Sequence, residues 1–250
     1  MKIFIVGING KMGKTIAAMA ENFGYEVAGG LDVSTDGKYP VFACAKAVNV
    51  DFDCVIDFSR PSTLGEVIAL ARSHKAPAVI ATTGYDAAQL ALIDGLAKEV
   101  AVFRSANMSL GVNVVEKALT QLAAALKGFD IEIVEAHHNQ KADAPSGTAK
   151  QMLDAVKCGL DYTPNVVNGR EGDSKRKTGD IGMHAIRGGT IVGEHTVIFA
   201  GEDEIIEIKH TALSRKIFAN GSLKAAEFLQ GKAPGLYNMT DYLRSQELKD

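Results

Sequence analysis

The first thirteen residues constrain the fold most. Lys2-Ile3-Phe4-Ile5-Val6 is an apolar run with the length and β-branched content of a buried strand, and Gly7-Ile8-Asn9-Gly10-Lys11-Met12-Gly13 leads from it into an amphipathic helical pattern. Glycines at such a junction permit a tight turn, let a pyrophosphate approach the backbone, and let the helix pack close to the strand. The spacing G-x-x-G-x-x-G is one residue longer than the commoner dinucleotide fingerprint and is weak alone. The next segment strengthens it. Tyr25-Glu26-Val27-Ala28-Gly29-Gly30-Leu31 reads as a second strand ending at Asp32, 19 positions after Gly13, where an acidic side chain accepts hydrogen bonds from an adenosine ribose. A simple turn-forming Asp before Ser34 is the competing reading.

The alternation continues. Asp53–Phe58 is a buried strand, and Ser59-Arg60-Pro61-Ser62 supplies a turn and the start of a helix to about His74. Ala78–Ala81 is a fourth strand ending in Thr82-Thr83-Gly84, Asp86 caps a helix to about Glu99, and Val100–Phe103 is a fifth strand. Strands alternating with helices predict an α/β fold, a Rossmann-like doubly wound parallel sheet, whose strand ends share one edge. A dinucleotide is therefore expected against Gly7, Ile8, Asn9, Gly10, Lys11, Met12 and Gly13 of the first turn and against Asp32 of the second. The later turns add Phe58 and Ser59, then Ala81, Thr82 and Thr83, then Ser105, Ala106, Asn107 and Met108, with the nicotinamide in the crevice they rim.

After Met108 the texture changes. A long helix from Gly111 to about Lys127 precedes a strand at Asp130–Val134, and a polar Gly-rich insert runs from Asn168 to Gly182. Strand-like stretches follow at 183–187, 190–199 and 204–210, predicting a second, α+β domain for substrate binding and oligomerisation. The expected division is 1–108 plus 219–250 for the dinucleotide and 109–218 for the second domain. The Lys175-Arg176-Lys177 cluster reads as a solvated mobile loop.

Between strand and helix in that second part lies Glu135-Ala136-His137-His138-Asn139-Gln140-Lys141-Ala142-Asp143-Ala144-Pro145-Ser146-Gly147-Thr148-Ala149. Ser146-Gly147-Thr148 at a helix start offers backbone N–H groups and hydroxyls to a carboxylate. Lys141 adds a positive charge, and a histidine can titrate near neutral pH. Helix capping alone explains Ser146 or Thr148 but asks for neither His137, His138 nor Lys141.

Composition excludes several classes. With 46% hydrophobic residues the 250-residue chain can bury a substantial core, and its net charge of −3 gives no general attraction to nucleic acid or to an anionic membrane. No apolar run approaches the ~20 residues needed to cross a bilayer. Lys2 leads straight into a strand, which leaves no room for a signal peptide, so a cytoplasmic protein is expected. Cys44, Cys54 and Cys158 show neither disulfide nor metal-ligand spacing and read as reduced structural thiols.

The segment Glu135–Ala149 reproduces the pattern E-A-H-H-x-x-K-x-D-A-P-S-G-T-A. With Gly7–Gly13, Asp57-Phe58-Ser59-Arg60-Pro61, Thr82-Thr83-Gly84, Asn107, Val192-Gly193-Glu194-His195 and Ser214–Gly221, it makes the chain resemble the 4-hydroxy-tetrahydrodipicolinate (dihydrodipicolinate) reductase family over essentially its whole length. The resemblance implies NADH- or NADPH-dependent reduction of a cyclic imine-type dicarboxylate with loss of water, in lysine and diaminopimelate synthesis, by a homotetramer. It also implies a proton-transfer role for His137, an accompanying donor role for Lys141, and carboxylate binding by His138, Gly147 and Thr148. Lys141 as an electrostatic clamp remains an alternative. Arg215 is a candidate for the second carboxylate, since a guanidinium engages both oxygens, against a helix-start residue in an interdomain salt bridge. His195 and His210 stand outside the catalytic set, as satisfied core or interface groups. Two positions depart from the pattern: Ala81 stands where many relatives have Gly, and Val33 follows Asp32 where some have an arginine for a 2′-phosphate. Lys11 could reach that phosphate instead. The runner-up readings are a semialdehyde-specific NAD(P)-dependent dehydrogenase and a dinucleotide-sensing regulator; the first would lack the histidine mouth, and the second would need a basic DNA-binding element that is not visible.

Overall fold

A computed structural model describes residues 1–247. The chain divides into two compact units, Met1–Leu110 with Arg215–Asp250, and Gly111–Ser214. The first unit begins with β1 (Lys2–Val6), α1 (Lys11–Asn22), β2 (Glu26–Leu31), β3 (Val41–Phe42), β4 (Cys54–Asp57), α2 (Leu64–His74), β5 (Ala78–Ile80), α3 (Ala87–Leu96) and β6 (Ala101–Arg104). The second unit holds α4 (Leu110–Ala125), β7 (Asp130–His137), α5 (Gly147–Gly159), β8 (Asn165–Asn168), β9 (Asp180–Arg187), β10 (Gly193–Ala200) and β11 (Ile205–Ala212). The chain then returns to the first as α6 (Lys216–Leu229), β12 (Gly235–Tyr237) and α7 (Met239–Glu247).

The first unit's strands pair in the order β12-β6-β5-β4-β1-β2-β3, every pair parallel. Ile3, Phe4, Ile5 and Val6 have no solvent exposure, as expected of a strand covered on both faces. From β1 the chain passes outward to β2 and β3, then resumes at β4 on the other side of β1, so the strand order reverses between β1 and β4. All the strands are parallel, so their carboxyl ends form one edge, and the crevice at the reversal is where such sheets take ligands. Two glycines fix the first turn. Gly7 has φ +84°, and a Cβ on Gly13 would fall 2.1 Å from the Gly7 carbonyl oxygen, so only glycine lets α1 sit this close to β1. Asp86 caps α3 as expected, in a reciprocal capping box with Gln89. The sequence reading omits β3 and β12, which are two and three residues long and too short to show a period.

The second unit's sheet is mixed, in the order β11-β10-β7-β9-β8, with β10 antiparallel to both its neighbours. Val112, Leu119 and Ala123 of α4 and Met152, Leu153 and Val156 of α5 pack with Ile131, Ile133, Val197 and Phe199. Strand β7 is three residues longer than the sequence pattern indicates, because it continues in strict alternation through Glu135 to His137. The Gly-rich insert is also more ordered than expected: β9 begins at Asp180, and Gly182 lies inside it, where a Cβ would meet the Glu132 carboxylate. Arg176 is not a free loop cation. It is half-buried, pairs with Asp130 at 2.8 Å, and also reaches the Glu132 carboxylate and the Asp180 carbonyl. Among the described residues no helix is long and apolar enough to cross a membrane.

Candidate functional site

In the first unit every residue expected at the dinucleotide lies at or just beyond a strand's carboxyl end. Helix α1 starts at Gly10 with no side-chain cap, and the first-turn N–H groups of a helix have no partner within it, which suits a phosphate. Asp32 closes the turn from the side: its Oδ2 accepts from the Asn9 amide at 2.9 Å and its Oδ1 from the Val33 amide at 2.8 Å. A carboxylate has about four acceptor positions, so Asp32 both braces the glycine turn and keeps capacity for a ribose diol. The Asn9 side chain donates to the carbonyls of Ser34 and Asp36 and ties down the loop after β2. Lys11 and Val33 are exposed.

The next two turns are joined through a buried carboxylate. Asp57, the last residue of β4, has no exposure and accepts from the Ser59 amide at 3.0 Å, from the Ser59 hydroxyl, and from Tyr85 Oη at 3.1 Å. Burial pushes its carboxyl above the usual range, against these hydroxyl hydrogen bonds. The Ser59 amide also donates to Thr82 Oγ1 at 2.9 Å, so the Phe58-Ser59 and Ala81-Thr82-Thr83 turns share one hydrogen-bonded anchor. Beyond β6, Ser105 Oγ donates to the Asn107 carbonyl at 2.8 Å and Asn107 Oδ1 accepts from the Ser109 amide at 3.0 Å, which folds Ser105–Met108 into a turn. Met108 is buried, and a Cβ on Gly221 would strike its carbonyl, so α6 packs directly on this turn. Arg215 is the exposed residue at the start of α6 and belongs to this unit.

In the second unit His137 is the last residue of β7 rather than part of a loop. Its Nδ1 lies 2.7 Å from Oε2 of Glu135, two residues earlier on the same face. Glu135 also accepts from both terminal nitrogens of Arg187 and from the Ser146 amide. Ser146 caps α5, its Oγ accepting from the Ala149 amide at 3.1 Å and sharing a 2.9 Å hydrogen bond with His195 Nε2. Lys141, 20% exposed, pairs with Asp143 at 2.8 Å. His138 is half-buried, Gly147 opens α5 and is exposed, and Thr148 is half-buried.

Three members of this cluster are absent from the sequence-derived set. Glu135 and Arg187 form its centre. His195, set aside as a core histidine, is indeed buried, yet its ring centre is 5.1 Å from that of His137, edge to face. Burial first, and then the neighbouring His137, push its pKa down to about 4, so it is neutral near pH 7. His210 faces it across the β10–β11 pair and is likewise lowered by burial. A signal for Glu135 exists: counting by twos from Ile131 and Ile133 puts Glu135 and His137 on the buried face.

A doubly wound sheet with a glycine turn at its reversal point, joined to a second α+β unit carrying a histidine–carboxylate cluster, defines a class, the two-unit nucleotide-dependent oxidoreductases. The chain belongs to the dihydrodipicolinate reductase family: residues 1–108 match "Dihydrodipicolinate reductase, N-terminus" and residues 111–243 match "Dihydrodipicolinate reductase, C-terminus". It is 47% identical over 249 residues to a 4-hydroxy-tetrahydrodipicolinate reductase of Clostridium tetani, covering 98% of each chain. It is 48% identical over 247 residues to one of Caldanaerobacter subterraneus subsp. tengcongensis, again covering 98% of each. Among solved structures, the dipicolinate-bound dihydrodipicolinate reductase from Paenisporosarcina sp. TG-14 shares the fold with TM-score 0.78 at 23% identity, over 95% of this chain and 97% of that one.

Proposed function

We propose that the chain reduces 4-hydroxy-tetrahydrodipicolinate to tetrahydrodipicolinate with loss of water, with His137 as the proton-transfer group. The family membership carries the reaction, and the 2.7 Å Glu135–His137 contact beside the start of α5 carries the assignment of His137. The family is one of pyridine-nucleotide-dependent reductases, and a bound nicotinamide supplies the hydride. The protein's residues do the rest. The start of α1 and the turns at Phe58-Ser59, Ala81-Thr82-Thr83 and Ser105–Met108 hold the coenzyme; His138, Ser146, Gly147 and Thr148 take a substrate carboxylate. Lys141 serves as second donor and charge. Dipicolinate, bound by the Paenisporosarcina relative, is a ring with two carboxylates, and such a ligand suits a mouth that combines a lysine with a helix start.

The test is oxidation of NADH and of NADPH, followed separately, on addition of freshly generated condensation product of pyruvate and aspartate semialdehyde. Both coenzymes are expected to work, with NADH equal or modestly better. Asp32 repels a 2′-phosphate, Val33 adds no charge, and the exposed Lys11 offsets only about 0.2–1 kcal/mol, the scale of a surface pair. Asp32→Ala should improve NADPH relative to NADH, and Lys11→Ala should hurt NADPH more. A wild-type preference for NADPH beyond about 100-fold, roughly 2.7 kcal/mol, would remove Asp32 from the ribose.

A homotetramer in the cytoplasm is the setting of this reading. The three cysteines are unpaired, in keeping with a reducing compartment. Strand β11 is an eight-residue edge strand with no fully buried residue; Ile205 on it is 65% exposed, and Ile186 on β9 is 51% exposed. A long open edge with apolar side chains is a liability in a monomer and is relieved by association. Light scattering at assay concentration should return four chains, and a monomer mass would refute the assembly.

A further inference from the structure

Glu135 is a fully buried carboxylate on the core face of a strand, and four N–H groups reach it. Arg187 Nη1 donates to Oε2 at 2.7 Å and Nη2 to Oε1 at 2.8 Å; His137 Nδ1 is 2.7 Å from Oε2, and the Ser146 amide 3.0 Å from Oε1. Burial acts to raise this carboxyl, but the hydrogen bonds from Arg187, His137 and Ser146 outweigh it and hold Glu135 below the usual carboxylate range. An ionised carboxylate only accepts, so the hydrogen in the Glu135–His137 contact sits on Nδ1. The other ring nitrogen, Nε2, is then the atom that gains and loses a proton. Gly193 keeps space beside it, since a Cβ there would stand 3.0 Å from Nε2.

Arg187 lies opposite His137 in the parallel β7–β9 register. Its Nη2 also donates to the Asp143 carbonyl at 2.6 Å, two residues beyond Lys141. One guanidinium is thereby fixed both to the carboxylate that orients His137 and to the loop that carries Lys141.

We infer that Arg187 is a positioning residue for the reaction: with Glu135 it holds His137 as the Nδ1–H tautomer, and the two charges set in opposite senses how firmly Nε2 keeps its proton. This rests on the reading of His137 as the proton-transfer group. A carboxylate in hydrogen-bond contact favours the imidazolium, whereas a guanidinium sharing that carboxylate withdraws part of its charge from the ring. The other groups facing His137 do not replace this pair. From β10 comes His195, neutral near pH 7, with His210 opposite it on β11; from the loop come Lys141 and Asp143, which offset each other at 2.8 Å.

Imidazole ¹⁵N NMR reads both parts of the inference without turnover. In wild type, neutral His137 should carry its hydrogen on Nδ1; hydrogen on Nε2 overturns the proposal, and this arm needs no variant. The His137 midpoint should fall by about one pH unit in Glu135→Gln and rise by about one in Arg187→Gln, the low end of the effect of a charge at this range. Arg187→Lys should return partway toward wild type. Shifts of the same sign in the two glutamine variants, or none, would sink the idea, because loosened packing alone has no reason to move them oppositely. Turnover of His137→Gln separates the two readings: wild-type turnover there removes His137 from the chemistry and leaves the tautomer and titration results standing, whereas lost turnover with same-sign shifts removes only the role of Arg187.

Discussion

Replacing His137 by glutamine lowers turnover by about 10²-fold or more, the usual contribution of a positioned acid or base, and leaves coenzyme affinity near the wild-type value. The two effects separate because His137 belongs to the second unit, whereas the glycine turn, Asp32 and the Asp57–Ser59–Thr82 anchor all belong to the first. Glutamine retains a side-chain amide that can donate to Glu135, so the buried carboxylate keeps a partner and the fold is spared the cost of an orphaned charge. Steady-state rates together with a coenzyme fluorescence titration check the prediction. Wild-type turnover would exclude His137, and a matching loss of coenzyme affinity would show that the substitution disturbs more than the chemistry.

Lys141→Ala has the second largest effect and a different signature. Its ammonium is mostly covered and pairs with Asp143 at 2.8 Å, while Asp143 is held below the usual carboxylate range first by the hydrogen bond from Lys141. Removing Lys141 takes away a donor and a charge and leaves the Asp143 carboxylate with Arg187 as its nearby cation, in a region assigned to bind carboxylates. Both kcat and KM should worsen, with kcat/KM falling about 10- to 100-fold, the scale of one charge-assisted hydrogen bond. A change in KM alone would make Lys141 an electrostatic clamp; unchanged values of both would remove it from the site.

The parts of the fold legible in the sequence are those in which a single segment carries its own signal. Lys2–Val6 with the glycines is one: the strand is apolar throughout because both its faces are covered, and Gly13 is required by the approach of the Gly7 carbonyl. His137 and Lys141 stand out because their residue types are unexpected in a capped loop. Glu135 stands out less: alternation from Ile131 and Ile133 places it on the buried face, opposite to Glu132, but the cation that compensates a buried carboxylate there is 52 positions away. Arg176 fails to show for the same reason: its partners Asp130 and Glu132 are on β7, far from its loop in sequence, so the local text is merely Lys-Arg-Lys. The short β3 and β12 exist because sheet edges accept two- or three-residue additions that no periodicity announces.

Isotope tracing tests the central claim most directly. With coenzyme deuterated at its transferable position, the product should carry one deuterium from the coenzyme, and in D₂O with ordinary coenzyme it should instead carry deuterium delivered by the protein from solvent. In His137→Gln the solvent-derived step should become slow enough to limit turnover, so a solvent isotope effect should grow while transfer from the coenzyme remains coupled to it. Product without coenzyme deuterium, or a His137→Gln enzyme that delivers solvent hydrogen at the wild-type rate, would contradict the account.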